Sequence, residues 1–166
     1  SRLPLRILHQ PESVDAGANS AAALRSSRGR YALTLDAGDR IDFEALERLV
    51  DDLTAKPGVV MMNVAALHWD ELEGEVLSPS YAIKEPVGFS PDQGLDCFNF
   101  LAAHTILPVV AIYRTDVLNK LLLRSHQLDD PLVMLFRALR YGEVCFHPDS
   151  YYRSVVHSGK DADDAT

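Results

Sequence analysis

Apolar residues follow two alternating patterns along the chain. Short, almost continuous apolar runs predict buried strands, and apolar residues spaced three and four positions apart predict helices. The strands are expected at Leu5–His9, Tyr31–Leu35, Val59–Ala66, Val109–Tyr113 and Val144–His147. The helices are expected at Gly17–Ser27, Phe43–Thr54, Cys97–His104, Thr115–Arg124 and Pro131–Arg140. Strands that alternate with helices predict an α/β sandwich with a largely parallel central sheet.

Two segments depart from this alternation. Residues Leu67–Gln93 are rich in Pro, Gly, Ser and charge, and so long a connection is typical of a functional or mobile loop. The polar, acidic tail from Ser158 onward is expected to fray. A length of 166 residues corresponds to one domain. We therefore predict a single domain over residues 1–158 and a disordered acidic tail over residues 159–166.

Composition and charge narrow the class of protein. The chain is 47% hydrophobic and 24% charged, with a formal charge of -8, which excludes disordered and coiled-coil proteins and makes a broad nucleic-acid surface improbable. Its 2 cysteines form no CxxC pair, so a disulfide framework and a Cys-rich zinc site are excluded. The longest apolar stretch, Ile106–Tyr113, contains Pro108 and is too short to span a bilayer. No signal-peptide pattern is present, so a cytoplasmic location is expected.

Two carboxylates follow directly after the predicted strand Tyr31–Leu35, at Asp36 and Asp39. Ligands of open α/β sheets bind beyond the carboxyl ends of the strands. Two hard oxygen donors at a tight turn suit Mg²⁺ or Mn²⁺, especially where a phosphate supplies further ligands. In the alternative interpretation, Gly38 only makes a turn and Asp39 caps the following helix.

A second acidic pair, Asp129 and Asp130, stands immediately before Pro131. It is either a general base at the mouth of a helix or a helix start, with Asp130 as the cap and Pro131 at the first position. His157 lies beyond the last predicted strand, where a lone loop histidine is typically solvated. Arg153, which follows two tyrosines, is a candidate phosphate or sugar contact or a packing residue.

The remaining candidates are weaker. Trp69 and His68 lie in the predicted loop, where they could stack on a sugar or base or simply pack the loop down. The chain has no Walker A loop, GxGxxG, HExxH or GxSxG motif. The common nucleotide-binding loops, zinc proteases and α/β-hydrolases are thereby disfavoured.

Several segments, taken in order, carry a family resemblance. Gly17–Leu24 and then Arg28–Asp39 resemble a small-residue helix, a Gly-x-Tyr entering a buried strand and an acidic metal motif. Val110–Leu118 resembles a strand that ends in Arg and leads into a helix. Asp129–Asp130 with the helix after them, and Val144–Arg153 with His157, are similar to a base motif and a closing strand with Tyr-Arg and His. In this order, residues 5 to 159 resemble the family 2 glycosyltransferases, inverting nucleotide-sugar enzymes with the GT-A fold.

The resemblance implies a function and a set of site residues. The fold would be a GT-A-like three-layer α/β sandwich. The reaction would move a sugar from a nucleoside-diphosphate sugar to a hydroxyl of a glycan or lipid-linked acceptor, with inversion, in cell-envelope or polysaccharide synthesis at the inner face of the membrane. The resemblance implies that Asp39, Asp36 and His157 bind Mn²⁺ or Mg²⁺, and that Asp36, Asp39 and Arg153 contact the nucleotide. Asp130 or Asp129 would act as the general base. Trp69 and Tyr81 would stack on the acceptor.

Three departures from the family pattern qualify these expectations. Gly38 stands where the metal motif usually has an acid, and Pro131 shifts the base motif by one residue. Leu5–His9 matches the family's second strand, so we expect a domain that lacks its N-terminal strand and helix. Such a fragment would be inactive alone and could form a homodimer through the exposed sheet edge. The alternatives are a non-catalytic interaction module and a nucleotidyltransferase.

Overall fold

The computed structural model of the chain describes residues 15–36, 38–70, 75–122 and 130–156. The predicted strand Leu5–His9, the acidic residue Asp129, His157 and the tail lie outside these residues. Within them the chain forms five helices and nine strands. The helices are Ala16–Arg25 (α1), Phe43–Ala55 (α2), Gly94–His104 (α3), Thr115–Leu122 (α4) and Pro131–Leu139 (α5). The strands are Tyr31–Ala32 (β1), Arg40–Ile41 (β2), Val59–Val64 (β3), Leu67–Asp70 (β4), Glu75–Pro79 (β5), Val87–Phe89 (β6), Ala111–Arg114 (β7), Glu143–His147 (β8) and Tyr152–Val156 (β9).

A five-stranded sheet in the order β1-β7-β3-β8-β6 forms the centre of the domain. Strands β1, β3 and β8 share one direction, and β7 and β6 run the opposite way. Only β3 and β8 are parallel neighbours, so the sheet is mixed and not mostly parallel as predicted. An apolar run shows that a strand is buried but carries no signal of its direction, which explains the difference.

A four-stranded sheet in the order β2-β9-β4-β5 lies beside the first. Its strands β4 and β5, together with β6 of the central sheet, occupy much of the segment Leu67–Gln93. The prediction of one long loop there is wrong. In β4 the apolar Leu67 and Trp69 alternate with the polar His68 and Asp70, as in a strand with two different faces. Short strands of this kind are easily mistaken for loop sequence.

The central sheet is covered on both faces, which confirms the α/β sandwich. One face packs against α1, α3, α4 and α5. The other packs against α2 through Ala45, Leu49 and Leu53. All six residues of β3 are buried, as the continuous apolar run predicts. At the edge strand the prediction fails, since only Tyr31–Ala32 is in strand and Leu35 is 46% exposed.

Two local features fix the ends of elements near the site. Asp42 caps α2, because its Oδ1 accepts a hydrogen bond from the Ala45 N–H at 3.0 Å. Gly142 ends the turn after α5, where an added Cβ would meet the Gly58 carbonyl oxygen at 2.7 Å. Only glycine permits this close approach between the turn and the start of β3.

Among the described residues, no helix has the length and apolar character needed to traverse a bilayer.

Candidate functional site

A tight turn follows β1 and carries the two predicted carboxylates. The Asp39 N–H donates to the Asp36 carbonyl oxygen at 3.2 Å, and Gly38 between them has φ 95°. A positive φ at this position is typical of a type II turn and favours glycine. The glycine that departs from the usual metal motif therefore occupies a position where the backbone demands it. The turn places Asp36 and Asp39 beyond the carboxyl end of β1, on the side that the sequence indicated.

The Asp39 carboxylate joins this turn to β9. Its Oδ1 accepts the Val155 N–H at 3.0 Å, and its Oδ2 accepts the phenol O–H of Tyr152. The helix-cap alternative for Asp39 is wrong, because Asp42 caps α2. Burial and the hydrogen bond to the Asp39 carboxylate raise the pKa of Tyr152 well above its usual range, so its phenol stays neutral and remains a donor.

The Asp36 side chain is exposed and borders a cavity of about 200 Å³ between the two sheets. The polar residues around this cavity are Thr34, Asp36, His68, Tyr152 and Ser154, and the apolar ones are Ala66, Val109 and Val110. His68 and Ser154 are paired across β4 and β9. We call this the Asp36 cavity.

His68 is the residue of the cavity that the sequence analysis placed only as a loop residue. Its position depends on the strand β4, where alternate side chains face opposite sides of the sheet. Had Leu67–Asp70 been assigned as a strand, the alternation would have separated His68 from Trp69. The incorrect loop assignment therefore hid this candidate.

Arg153 and Trp69 lie on the other face of the second sheet. The Arg153 guanidinium is 5.8 Å from the centre of the Trp69 ring and 3.5 Å from Asp42 Oδ2. Hydrogen bonding by the Ala45 backbone N–H, with a further contribution from Arg153, lowers the pKa of the Asp42 carboxyl. Because strand side chains alternate, this cluster is directed away from Tyr152 and Ser154. The structure therefore does not bring Arg153 or Trp69 into the Asp36 cavity.

Tyr81, the second predicted stacking residue, is only 6% exposed. Its ring packs edge-on against Phe146, and its O–H donates to the His147 carbonyl oxygen at 3.5 Å. Burial raises the pKa of its phenol far above the usual range. A ring enclosed in this way has no open face for a sugar, so the stacking prediction does not agree with the structure. The aromatic residue that fills the core looked like a loop residue because the surrounding strands were missed.

Asp130 begins α5 and is exposed. Its Oδ1 accepts the Leu132 N–H at 2.8 Å, and Pro131 occupies the first turn, so the helix-cap interpretation is confirmed. A capping carboxylate keeps a second oxygen, so the cap does not exclude a base. The partner candidates Asp129 and His157 fall outside the described residues.

A divalent cation fits this site only with help from a substrate. Within the described residues no three His, Cys, Asp or Glu side chains converge as a metal site. Both Asp39 oxygens accept hydrogen bonds, which leaves Asp36 as the exposed carboxylate. Mg²⁺ is commonly held by one or two carboxylates together with substrate phosphates. The donor set therefore suits a cation shared with a bound diphosphate.

The mixed α/β sandwich and the acidic turn at a strand end define a GT-A-like domain. The sequence model of the family described as Glycosyl transferase family 2 matches residues 1–122. The chain belongs to this family, which confirms the resemblance drawn from its segments. No curated protein matches the chain significantly in sequence.

A solved structure supports the fold independently. The chain is similar to residues 1–349 of TarS from S. aureus, with a TM-score of 0.56 and 17% sequence identity. The match covers 84% of this chain and 40% of that chain. At this identity the likeness concerns the fold alone. The chain spans about two-fifths of the TarS chain that it matches.

Proposed function

We propose that this domain transfers a sugar from a nucleoside-diphosphate sugar to an acceptor hydroxyl, with inversion, in the synthesis of a cell-envelope polysaccharide. Membership of the glycosyltransferase family supports sugar transfer over nucleotidyl transfer. One observation assigns the proposed function to particular residues. In the turn after β1, Asp39 is bonded to the fold, whereas Asp36 borders a cavity.

The two carboxylates of the turn have different tasks in this proposal. Asp39, bonded to β9, fixes the position of the turn against the second sheet. Asp36 is directed at the donor diphosphate, with His68 and Ser154 as further polar contacts in the Asp36 cavity. Mn²⁺ or Mg²⁺ held by Asp36 and the diphosphate would neutralise the charge of the leaving group.

Asp130 is the proposed general base. The acceptor oxygen attacks the anomeric carbon, and its proton passes to a carboxylate oxygen of Asp130. The bond between the anomeric carbon and the diphosphate oxygen breaks, and its electron pair leaves with the diphosphate. A single direct displacement inverts the anomeric centre. Asp129 is the alternative base, one residue earlier.

Calorimetry of nucleoside-diphosphate binding, with and without Mn²⁺, tests the division between Asp36 and Asp39. The Asp36→Asn variant should lose the Mn²⁺-dependent part of the affinity while the free energy of unfolding is unchanged, because the side chain is exposed. Asp39→Asn should lower both the Mn²⁺-dependent affinity and the free energy of unfolding, because it removes hydrogen bonds that hold the turn. Asp51→Asn, at an exposed position of α2, is the matched control. Unchanged Mn²⁺-dependent affinity in Asp36→Asn would exclude its ligand role.

Asp130→Asn tests the base without removing the helix cap, because Asn caps a helix about as well as Asp. In a form of the enzyme that turns over nucleoside-diphosphate sugars, the variant should lower turnover by about 10² to 10⁴, while donor binding and stability stay close to wild type. Asp42→Asn, the same change at the cap of α2, controls for the substitution itself. Full turnover in Asp130→Asn with loss in Asp129→Asn would move the base by one residue. Full turnover in both would refute the assignment.

A non-catalytic interaction module is the second candidate. It is favoured by the glycine in the metal motif and by the scarcity of converging ligands in the described part of the chain. Calorimetry also separates the two functions. A wild-type chain that binds no nucleoside diphosphate, with or without Mn²⁺, would favour the module over the enzyme.

A further inference from the structure

An apolar cavity opens beside the start of α5. It has a volume of about 330 Å³, within the range of pockets that bind small molecules. Of the seven described residues that line it, six are apolar and none is charged. The apolar ones are Phe98, Leu101 and Ala102 of α3, Ile106 and Leu107 after it, and Leu132 of α5. Such a lining suits a hydrocarbon, whereas the hydroxyl groups of a sugar need polar partners.

The wall of this cavity is apolar surface that the core does not use. Helix α3 already buries Cys97 and Leu101 against the sheet. Phe98, on the adjoining side of the helix, is 54% exposed, and Leu107 is 53% exposed. The Phe98 ring lies 6.5 Å from the Phe136 ring, so the exposed surface continues onto α5. Single exposed apolar residues are ordinary, but several around one concavity mark a binding site.

The cavity is adjacent to the residue proposed as the general base. Leu132, which lines it, donates its backbone N–H to Asp130 Oδ1 at 2.8 Å. Asp130 is exposed, and in the proposed reaction the acceptor oxygen has to approach its carboxylate. An acceptor in that position therefore lies next to the opening of an apolar cavity.

Thr105 is the polar residue of the lining. It ends α3 with φ 54°, in the left-handed region that favours glycine and is unusual for a β-branched residue. Backbone positions of this kind cluster at binding sites. A single hydroxyl at an otherwise apolar wall suits the junction between the hydrocarbon part and the polar part of a ligand.

We propose that this cavity binds the hydrocarbon chain of a lipid-linked acceptor, with the acceptor hydroxyl directed towards Asp130. The inference rests on the proposed function, because it takes Asp130 as the base, and it selects a lipid-linked acceptor over a free glycan. Each CH₂ group that moves from water into the cavity should lower Kd by roughly fourfold, which corresponds to about 0.8 kcal/mol.

Neutral n-alkyl glucosides of increasing chain length are suitable probes of the cavity. They are titrated below the concentration at which they form micelles, and the amide signals of Ile106 and Leu132 are followed by NMR. Kd should fall with each added CH₂ until the cavity is full. The Leu132 signal should shift with saturation, because its N–H binds Asp130. Leu107→Asp places a charge at the cavity and should weaken binding by on the order of tenfold or more.

Leu95→Asp is the matched control, because Leu95 is 73% exposed on the same helix and does not line the cavity. Binding that depends on chain length and is weakened only in Leu107→Asp supports the site. Equal weakening in both variants would show non-specific apolar attraction and overturn the proposal. A Kd that does not change with chain length, or a Leu132 signal that does not move, overturns it as well. Leu107→Asn and Leu95→Asn carry the same comparison if the charged variants do not fold.

Two further outcomes separate this inference from the alternatives. Binding to phosphatidylcholine vesicles without any saturable binding of the soluble glucosides would indicate a membrane-contact face and overturn the proposal. Calorimetry with nucleoside diphosphate tests the proposed function by itself. If the donor binds and the glucosides do not, this inference fails while sugar transfer stands. If the glucosides bind and the donor does not, the acceptor assignment is overturned together with the proposed function.

Discussion

The two sheets of this domain are held together in different ways. In the central sheet all six residues of β3 are buried, and apolar side chains pack on both faces. In the second sheet β2 is exposed at Arg40 and half-buried at Ile41, and Asp39 makes two polar bonds to β9. Apolar burial is non-directional, whereas a hydrogen bond fixes individual atoms. The first sheet thus supplies stability, and the second positions the carboxylates of the site.

The largest effect is expected in the central sheet. Phe146, fully buried on β8, packs against Tyr81, Phe89 and Phe100. Phe146→Ala should lower the free energy of unfolding by about 3 to 5 kcal/mol, through lost burial and a cavity. Chemical denaturation measures this. The comparison variant Trp69→Ala, at a half-buried position of the second sheet, should cost clearly less. Equal losses would show that both sheets depend equally on apolar packing.

Asn63 is a polar exception within β3. It is 0% exposed, and neither atom of its side-chain amide finds a partner among the described residues. An unpaired buried polar group costs about 1 to 3 kcal/mol. Asn63→Val removes that cost and suits a strand, so it should raise the free energy of unfolding by up to that amount. A loss of stability in thermal or chemical unfolding would show that the amide has a partner.

A smaller effect is expected where the second sheet meets α2. Asp42 caps this helix and contacts Arg153 at 3.5 Å. Asp42→Ala should lower the free energy of unfolding modestly, mostly through the lost cap. Asp42→Asn keeps the cap and should recover most of the loss. If it recovers none, the ion pair with Arg153 contributes more than the cap does. Chemical denaturation of the three proteins in parallel distinguishes these outcomes.

The smallest effect concerns pH. His147 is buried at the end of β8, and this burial lowers its pKa below the usual value of 6.5, although Asp52 and Asp149 act in the opposite sense. A base that is harder to protonate when folded contributes stability above its unfolded pKa, and this contribution is lost as the pH falls. Unfolding should therefore become easier from pH 7.5 to pH 5, and less so in His147→Gln. An identical pH dependence in both proteins would contradict this origin.

The sequence predicted the part of the fold that burial determines. Helix α2 was found from its apolar spacing, and β3 from a continuous apolar run. The direction of β7 was not predictable, because a buried strand has the same composition in either direction. The strands β4, β5 and β6 were missed because short, half-exposed strands resemble loops. Because these strands were not predicted, Tyr81 was expected to lie in a loop and to stack on the acceptor.

The candidate site was predictable to a similar extent. Asp36 and Asp39 were located by their position after a strand, which is a local feature. Which of the two faces the cavity depends on the hydrogen bonds of Asp39 to Tyr152 and Val155, far along the chain. Such long-range pairing leaves no periodic trace in the sequence. His68 joins the same cavity only through the second sheet, so it too required the structure.

The pairing of β3 with β8 has a consequence for how the chain folds. These strands are the parallel neighbours at the centre of the main sheet, yet most of the described chain lies between them. Contacts between distant segments carry a loop-closure cost before they contribute stability, and they slow folding. During synthesis, the apolar segment Val59–Val64 leaves the ribosome long before Glu143–His147 is made. The edge of β3 that pairs with β8 therefore stays open until Glu143–His147 has been made, late in synthesis.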